Sequence, residues 1–329
     1  MNNLSRIETQ SAAIEIERSP ELSFVIPAKD EAKNIAQTIN QIANISAELV
    51  DDYEVIVVDD GSSDGTFYSA KEMAQSFPVR CIRFSRNFGK EQAIMAGLQA
   101  ARGRAVAILD ADLQEPLHHL KTMIERYRQG YEMIYAVRAD RSDETFLKRF
   151  STKVFYHLLG AGTEFTIPRN ARDFRLMDRR VVDTLCALPE RNRFMKGLYG
   201  WVGFKNISVP IEISRRQHGT TKFRFGDLFR LGCTGITAFT TWPLRVWTLI
   251  GGMFALFSIL YGSWIFVRTV FWGTDISGWS TLAVAIFFLG GIQLISIGVL
   301  GEYLSRVFTE VKGRPGFVIA KEFNPAPKL

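Results

Sequence analysis

The chain of 329 residues is poor in the groups that build disulfides and zinc centres. It has three cysteines, Cys81, Cys186 and Cys233, far apart and with no CxxC pairing, and four histidines. A disulfide scaffold and a Cys/His zinc site are thereby excluded, and a reducing compartment is the simplest reading. No GxGxxG follows the first apolar run and no GxxxxGK[ST] occurs anywhere, which removes the main support for dinucleotide oxidoreductases and P-loop NTPases. A GxSxG nucleophile elbow is also missing. Residues 1–20 are polar and aperiodic, without the apolar core of a secretory signal, and are read as a loosely ordered arm. Charge is scarcest near the C-terminal end. Of the 56 residues from Val246 to Gly301 only Arg268 and Asp275 are charged, although the chain-wide share of 22% would place about 12 there.

What is present divides accordingly. A hydrophobic content of 47% and a mean hydropathy of +0.03 exclude both a disordered chain and a polytopic transporter, but these averages merge two unlike parts. Short apolar runs at Leu22–Ala28, Tyr53–Asp59, Val79–Ser85, Ala105–Leu109 and Glu132–Val137 alternate with helical stretches at Ala32–Ile45, Thr66–Phe77, Gln92–Arg102 and Leu117–Gln129. Val- and Ile-rich runs separated by helices predict βαβ units and a mostly parallel α/β sheet, with ligands beyond the carboxyl ends of the strands.

Two uncharged segments, Val246–Val267 and Trp279–Gly301, are long enough for membrane-spanning helices, with tryptophans toward their ends. Thr145–Gly160 sets Phe146, Phe150, Val154 and Leu158 on one helical face beside basic residues; it reads as an interfacial helix or as an ordinary core-facing one. Phe225–Thr240 is a second interfacial candidate. The expected organisation is an arm (1–20), an α/β domain (21–223), an interfacial helix (224–243), two spans (244–304) and a tail (305–329). Arg215, Arg216, Lys222, Arg224, Arg230 and Arg245 precede the first span, and Arg306, Lys312, Arg314 and Lys321 follow the second. The positive-inside rule therefore puts the α/β domain and both termini on the cytoplasmic side of the membrane. The net charge of +6 gathers beside the apolar spans, which favours anionic lipid over nucleic acid as the partner.

The second strand ends in VVDDGSSDGT and the fourth in ILDADLQ. Acidic residues at a strand's carboxyl end suit contacts to a base or ribose. Two carboxylates at i and i+2 suit a hard cation such as Mg2+ or Mn2+, which in turn holds a diphosphate. Either motif alone is weak; both on one sheet edge make a stronger signal. Together with SRNFGKEQA, DFRLMDRR, RQHGTTKF and GEYLSRVFTEVKGRP, they resemble the polyisoprenyl-phosphate glycosyltransferases of glycosyltransferase family 2 from about Leu22 to Phe317. That group includes dolichyl-phosphate mannose synthase and bacterial undecaprenyl-phosphate glucosyltransferases.

The resemblance implies a GT-A fold, Rossmann-like with a mostly parallel sheet, carrying interfacial helices and a C-terminal two-helix transmembrane hairpin. It implies nucleotide-sugar binding by Pro27, Lys29, Glu31, Asp60, Arg86, Lys90, Asp110 and Asp112. Lys29 and Asp30 depart from the aromatic and Asn usual there, and Arg172 from a glycine. The metal, Mg2+ or Mn2+, falls to Asp112 and Gln114, with Asp110 close to the ribose and the metal. Asp112, Asp173, Arg175, Arg216 and Lys222 are the expected catalytic residues, and Arg138, Arg141, Arg216, Thr221 and Lys222 the groups for the lipid phosphate. The implied reaction is inverting transfer of a hexose, glucose from UDP-glucose first, to undecaprenyl or dolichyl phosphate for cell-envelope glycan modification such as that of O-antigen. A homo-oligomer, a downstream flippase and a second glycosyltransferase are the implied partners. A processive polysaccharide synthase shares the aspartate motifs but carries QxxRW and more spans, and neither is found here. A noncatalytic scaffold would have no need of Asp60, Asp110, Asp112 and the basic loop together.

Overall fold

The computed structural model of the protein describes residues 19–112, 115–138, 171–191, 193–212, 242–272 and 278–325. The first strands form where the sequence carries unbroken apolar runs. β1 (Leu22–Ala28) is buried along its whole length, and β2 (Tyr53–Asp59), β3 (Val79–Phe84) and β4 (Ala105–Ile108) are buried almost throughout. Continuous burial is what a parallel strand covered on both faces requires. The helices supply that cover. α1 (Ile35–Leu49) turns Ile35, Ile39, Ile42, Ala43 and Ser46 inward at helical spacing. α2 (Thr66–Met73), α3 (Lys90–Ala100) and α4 (His119–Arg128) follow β2, β3 and β4. α3 packs closest, because Gly97 rests on Val25 of β1 where any Cβ would collide.

The eight-stranded sheet has the order β7-β5-β6-β4-β1-β2-β3-β8. β1 pairs in parallel with β2 and β4, β2 with β3, and β5 (Met133–Arg138) with β7 (Asn206–Ile211). β6 (Ala171–Asp178) runs antiparallel to β4 and β5, and β8 (Ile319–Phe323) antiparallel to β3. The chain crosses from β3 back to β4 on the far side of β1. This leaves a topological switch between β1 and β4, where open α/β sheets bind ligands. α5 (Arg179–Ala187) and α6 (Met195–Trp201) complete this unit; the Asp178 carboxylate caps α5 by accepting from the Arg180 amide.

The five expected strands and four expected helices of the α/β region are present, β1 and β2 with the expected bounds and the others with ends displaced by a few residues. α1 starts at Ile35 instead of Ala32 because the chain before it is held in a turn. There the Glu31 amide donates to Thr66 Oγ1 and the Ala32 amide to Asp64 Oδ2. The expected tail over 305–329 contains regular structure. A helix runs on to Val311, and Ile319–Phe323 is the edge strand β8, fixed by backbone pairing to β3 and by the Arg80 to Asn324 hydrogen bond of 2.8 Å.

The second unit contains α7 (Trp242–Trp272) and α8 (Trp279–Val311), whose Phe254 and Phe288 rings meet edge-on at 5.8 Å. Large apolar side chains along α8, Leu294 and Ile297 among them, are exposed. Phe288–Val311 is long and apolar enough to cross a membrane, while the apolar stretch Leu249–Trp264 is shorter. Residues 1–18 of the expected arm, the helices at Thr145–Gly160 and Phe225–Thr240, and the loop containing Asp275 lie outside the described residues.

Candidate active site

The carboxyl ends of β1, β2, β3 and β4, and the amino-terminal half of the antiparallel β6, carry the polar residues of one site. After β2, Asp60 is buried, and its oxygens accept from the Phe88 and Gly89 amides at 2.6 and 3.0 Å. Burial pushes the Asp60 carboxyl up, against the pull of these amides and of Lys29. Asp60 thus fixes the loop after β3. The two loops touch closely: Gly61 has φ +63°, and a Cβ there would run into the Arg86 backbone. Arg86 lies 3.9 Å over the Phe88 ring and donates to the Asn87 carbonyl. Lys29 reaches across from β1 to the Gly61 carbonyl at 3.2 Å. Asp30 adopts φ 55° and accepts from the Ser63 amide at 2.9 Å. Glu31 accepts from Asn34 Nδ2. Pro27 is buried within β1, next to its carboxyl end.

Lys90 begins α3 and joins two motifs that are distant in sequence. Its ammonium lies 2.5 Å from Asp110 Oδ1 after β4 and 2.6 Å from Asp173 Oδ2 on β6. Burial works to lower Lys90, but the two carboxylates outweigh it and the net shift is upward. For Asp173, burial works upward; Lys90, Lys196 and Arg175 overcome it and bring the carboxyl to about 2. A carboxyl so held is a weak proton acceptor near neutral pH.

Arg175 is 2% exposed, with its guanidinium 3.4 Å over the Tyr199 ring and Nη2 donating to the Arg172 carbonyl. Its charge helps to hold the Asp173 carboxyl low. Arg138 closes β5, one strand beyond β6. Arg141, Arg216, Thr221, Lys222 and Gln114 lie outside the described residues.

Two charged residues join the site without having been expected there. Glu115 is 3% exposed, accepts from Arg172 Nε at 2.8 Å through Oε1, and has no hydrogen-bond partner on Oε2 among the described residues. Burial and the charge of Asp110 raise its carboxyl to about 7, against the pull of Arg172. Arg172, which replaces a glycine of the resembling family, is thus the partner of an acid that follows the DADLQ run; the departure was the available signal. Glu91, in the first turn of α3, accepts from the Met195 amide at 3.2 Å, and burial first, then Asp173, raise it to about 7. Asp110 and Asp112 at the end of β4 supply hard oxygen donors of the kind Mg2+ and Mn2+ take. Among the described residues no three acidic, imidazole or thiol groups cluster as a cage. The set suits a cation that completes its shell with an amide oxygen and substrate phosphates.

Comparison with known proteins agrees with this edge. Residues 23–186 match the family described as Glycosyl transferase family 2, and residues 242–307 match the GtrB C-terminal hairpin. An uncharacterized glycosyltransferase of Synechocystis is 43% identical over 94% of this chain and 99% of its own. A prophage-derived bactoprenol glucosyl transferase of Shigella flexneri is 41% identical over 93% and 99%. A prophage bactoprenol glucosyl transferase homolog of Escherichia coli is 40% identical over 91% and 98%. With acidic motifs at the ends of β2 and β4, a basic residue between them and relatives matched over nearly their full length, this chain belongs to glycosyltransferase family 2 and is an enzyme of the GT-A fold.

Proposed function

We propose that the enzyme transfers glucose from UDP-glucose to a polyisoprenyl phosphate, undecaprenyl phosphate first, at the cytoplasmic face of a membrane. The relatives named bactoprenol glucosyl transferase support the sugar and the acceptor class. The observation that carries the chemistry is Lys90, whose ammonium joins the acidic run after β4 to the DFR motif on β6. A cation within reach of both lies where a diphosphate leaves and an acceptor phosphate arrives.

The reaction is a single displacement. An acceptor phosphate oxygen forms a bond to the anomeric carbon, the bond from that carbon to the diphosphate oxygen breaks, and the configuration inverts. A phosphate monoester is largely ionised near pH 7 because its second pKa is about 6, so no general base has to create the nucleophile. This matches an Asp173 carboxyl held at about 2; it keeps Lys90 in place and orients groups at the junction. Asp110 and Asp112, with Gln114, would hold Mg2+ or Mn2+. That ion supplies positive charge to the leaving diphosphate. Lys90, whose side chain is 44% exposed, adds charge from the protein side. Arg138, Arg141, Arg216, Thr221 and Lys222 bind the acceptor phosphate, bidentately where arginine is used.

α7 and α8 cross the bilayer as a hairpin, with Phe288–Val311 the stronger segment, and the flanking arginines and lysines keep the catalytic domain cytoplasmic. The chain works as a homo-oligomer, and the lipid-linked sugar passes to a flippase and a further glycosyltransferase. The deciding experiment incubates the purified full chain in detergent with undecaprenyl phosphate, Mg2+ or Mn2+ and separate labelled nucleotide sugars. Label from UDP-glucose is expected in the organic phase. Exclusive transfer from another donor overturns the sugar, and transfer to no lipid phosphate overturns the reading.

A further inference from the structure

The residues after α8 have a place in the fold that an anchor's tail has no need of. Beyond Val311 the chain reaches Gly316, which lies against Gln92 of α3 so closely that a Cβ would collide with its amide. Phe317 then stacks on Phe84, with centroids 4.9 Å apart and planes at 14°. The Ser85 amide donates to the Val318 carbonyl at 2.9 Å. β8 pairs with β3, its register shifting between Arg83 and Phe84 where the strand gives way to the nucleotide loop. Lys71 covers Phe323 at 5.0 Å and Lys321 donates to the Tyr68 hydroxyl at 3.2 Å, so the strap is tied along its length.

The contacts continue into the site. Phe84 meets Phe88 edge-on at 5.7 Å, Arg86 lies on the other partner of that pair, Phe88, and the Phe88 and Gly89 amides are held by Asp60. We propose that Phe317 is a positioning residue for the nucleotide donor: by stacking on Phe84 it sets Phe88, and through it the backbone that Asp60 grips and the side chain of Arg86. The segment 316–318 is thereby part of the donor site. Ring pairs of this kind favour particular offset and edge-on geometries, so a chain of three rings transmits position and not merely burial.

This inference rests on the donor site described under the proposed function, and its test separates the two. Affinity for UDP with Mg2+ is measured at equilibrium on the full chain in detergent, without acceptor, alongside KM and kcat for donor and acceptor. Phe317→Ala is expected to weaken UDP binding and raise donor KM by about three- to tenfold, the factor that loss of one aromatic pair represents. Acceptor KM stays unchanged and kcat stays within about twofold. Phe317→Tyr, which keeps the stack, restores donor KM. Phe323→Ala loosens the far end of the same strap and controls for stability: a lower Tm with unchanged donor KM is expected. Equal rises in donor KM for Phe317→Ala and Phe323→Ala, or none for Phe317→Ala, overturn the positioning role while leaving the functional reading intact. Failure of the wild-type chain to bind any nucleotide overturns both.

Discussion

Lys90, with a carboxylate on either side, concentrates the chemistry of the site in one residue. Asp110 and Asp173 lie close together only because the ammonium between them offsets their repulsion. Lys90→Met should lower kcat by about a hundredfold, the order seen when one preorganised electrostatic contact is lost, while membrane insertion is retained. A wild-type kcat in this variant would remove Lys90 from the mechanism. The same contact governs acid stability. Asp173 titrates at about 2, below the ordinary carboxyl value of 3.8, so its contribution is complete above about pH 4 and is lost as pH falls toward 2. In Lys90→Met the depression of Asp173 is relieved, so Tm should be lower near neutral pH and fall less between pH 4 and 2; curves that run parallel for the two proteins would refute the pairing. Asp112→Ala should abolish transfer without releasing the protein from membranes, and retained turnover would sink the metal assignment.

At the scale of elements, α3 bears two demands at once. Its first turn carries Lys90 and Glu91 into the site, and its last turns lie on β1 through Gly97. Gly97→Ala forces a methyl into Val25, and overpacking of this kind costs about 1–3 kcal/mol; a lower Tm with nearly unchanged donor KM is the expected pattern. Glu91 links α3 to the start of α6. Its carboxyl is raised to about 7 from 4.5, so the folded state is favoured at low pH and loses stability as pH rises from about 4.5 through 7. Glu91→Gln should remove that loss, gaining on the order of 1 kcal/mol at pH 8 after allowance for solvent screening. Denaturant titrations at pH 5 and pH 8 test it, and an equal gain at both pH values would contradict the titration. Elements β1 to β5 were legible because burial on both faces demands unbroken apolar runs. β6, β7 and β8 were not. β6 carries Arg172, Asp173, Arg175 and Asp178 within eight residues, and β8 is a short exposed strand whose partner Arg80 lies 244 positions from Asn324.

For the whole molecule, the division is between a sheet whose apolar core is buried and a pair of helices whose apolar side chains are exposed. Leu294 and Ile297 are 72% and 56% exposed, an arrangement that water would penalise and lipid would not. Replacing both with arginine should cost several kcal/mol of insertion, at about 2.5–3.5 kcal/mol for each charge near a bilayer centre. Carbonate-washed membranes should then retain much less protein; full retention would mean that this part of α8 does not lie in the lipid.

The amino-acid sequence by itself determined the α/β class, the uncharged C-terminal stretch and the acidic motifs at the ends of β2 and β4, because each is written in contiguous residues and local periodicity. Tertiary structure alone decided which charges meet. Lys90 bridges Asp110 and Asp173, Arg172 takes up Glu115, Arg175 turns inward over the Tyr199 ring, and Phe317 returns to stack on Phe84. These contacts join residues tens to hundreds of positions apart, brought together by strand order. Side-chain direction follows from packing on neighbours that no local pattern names.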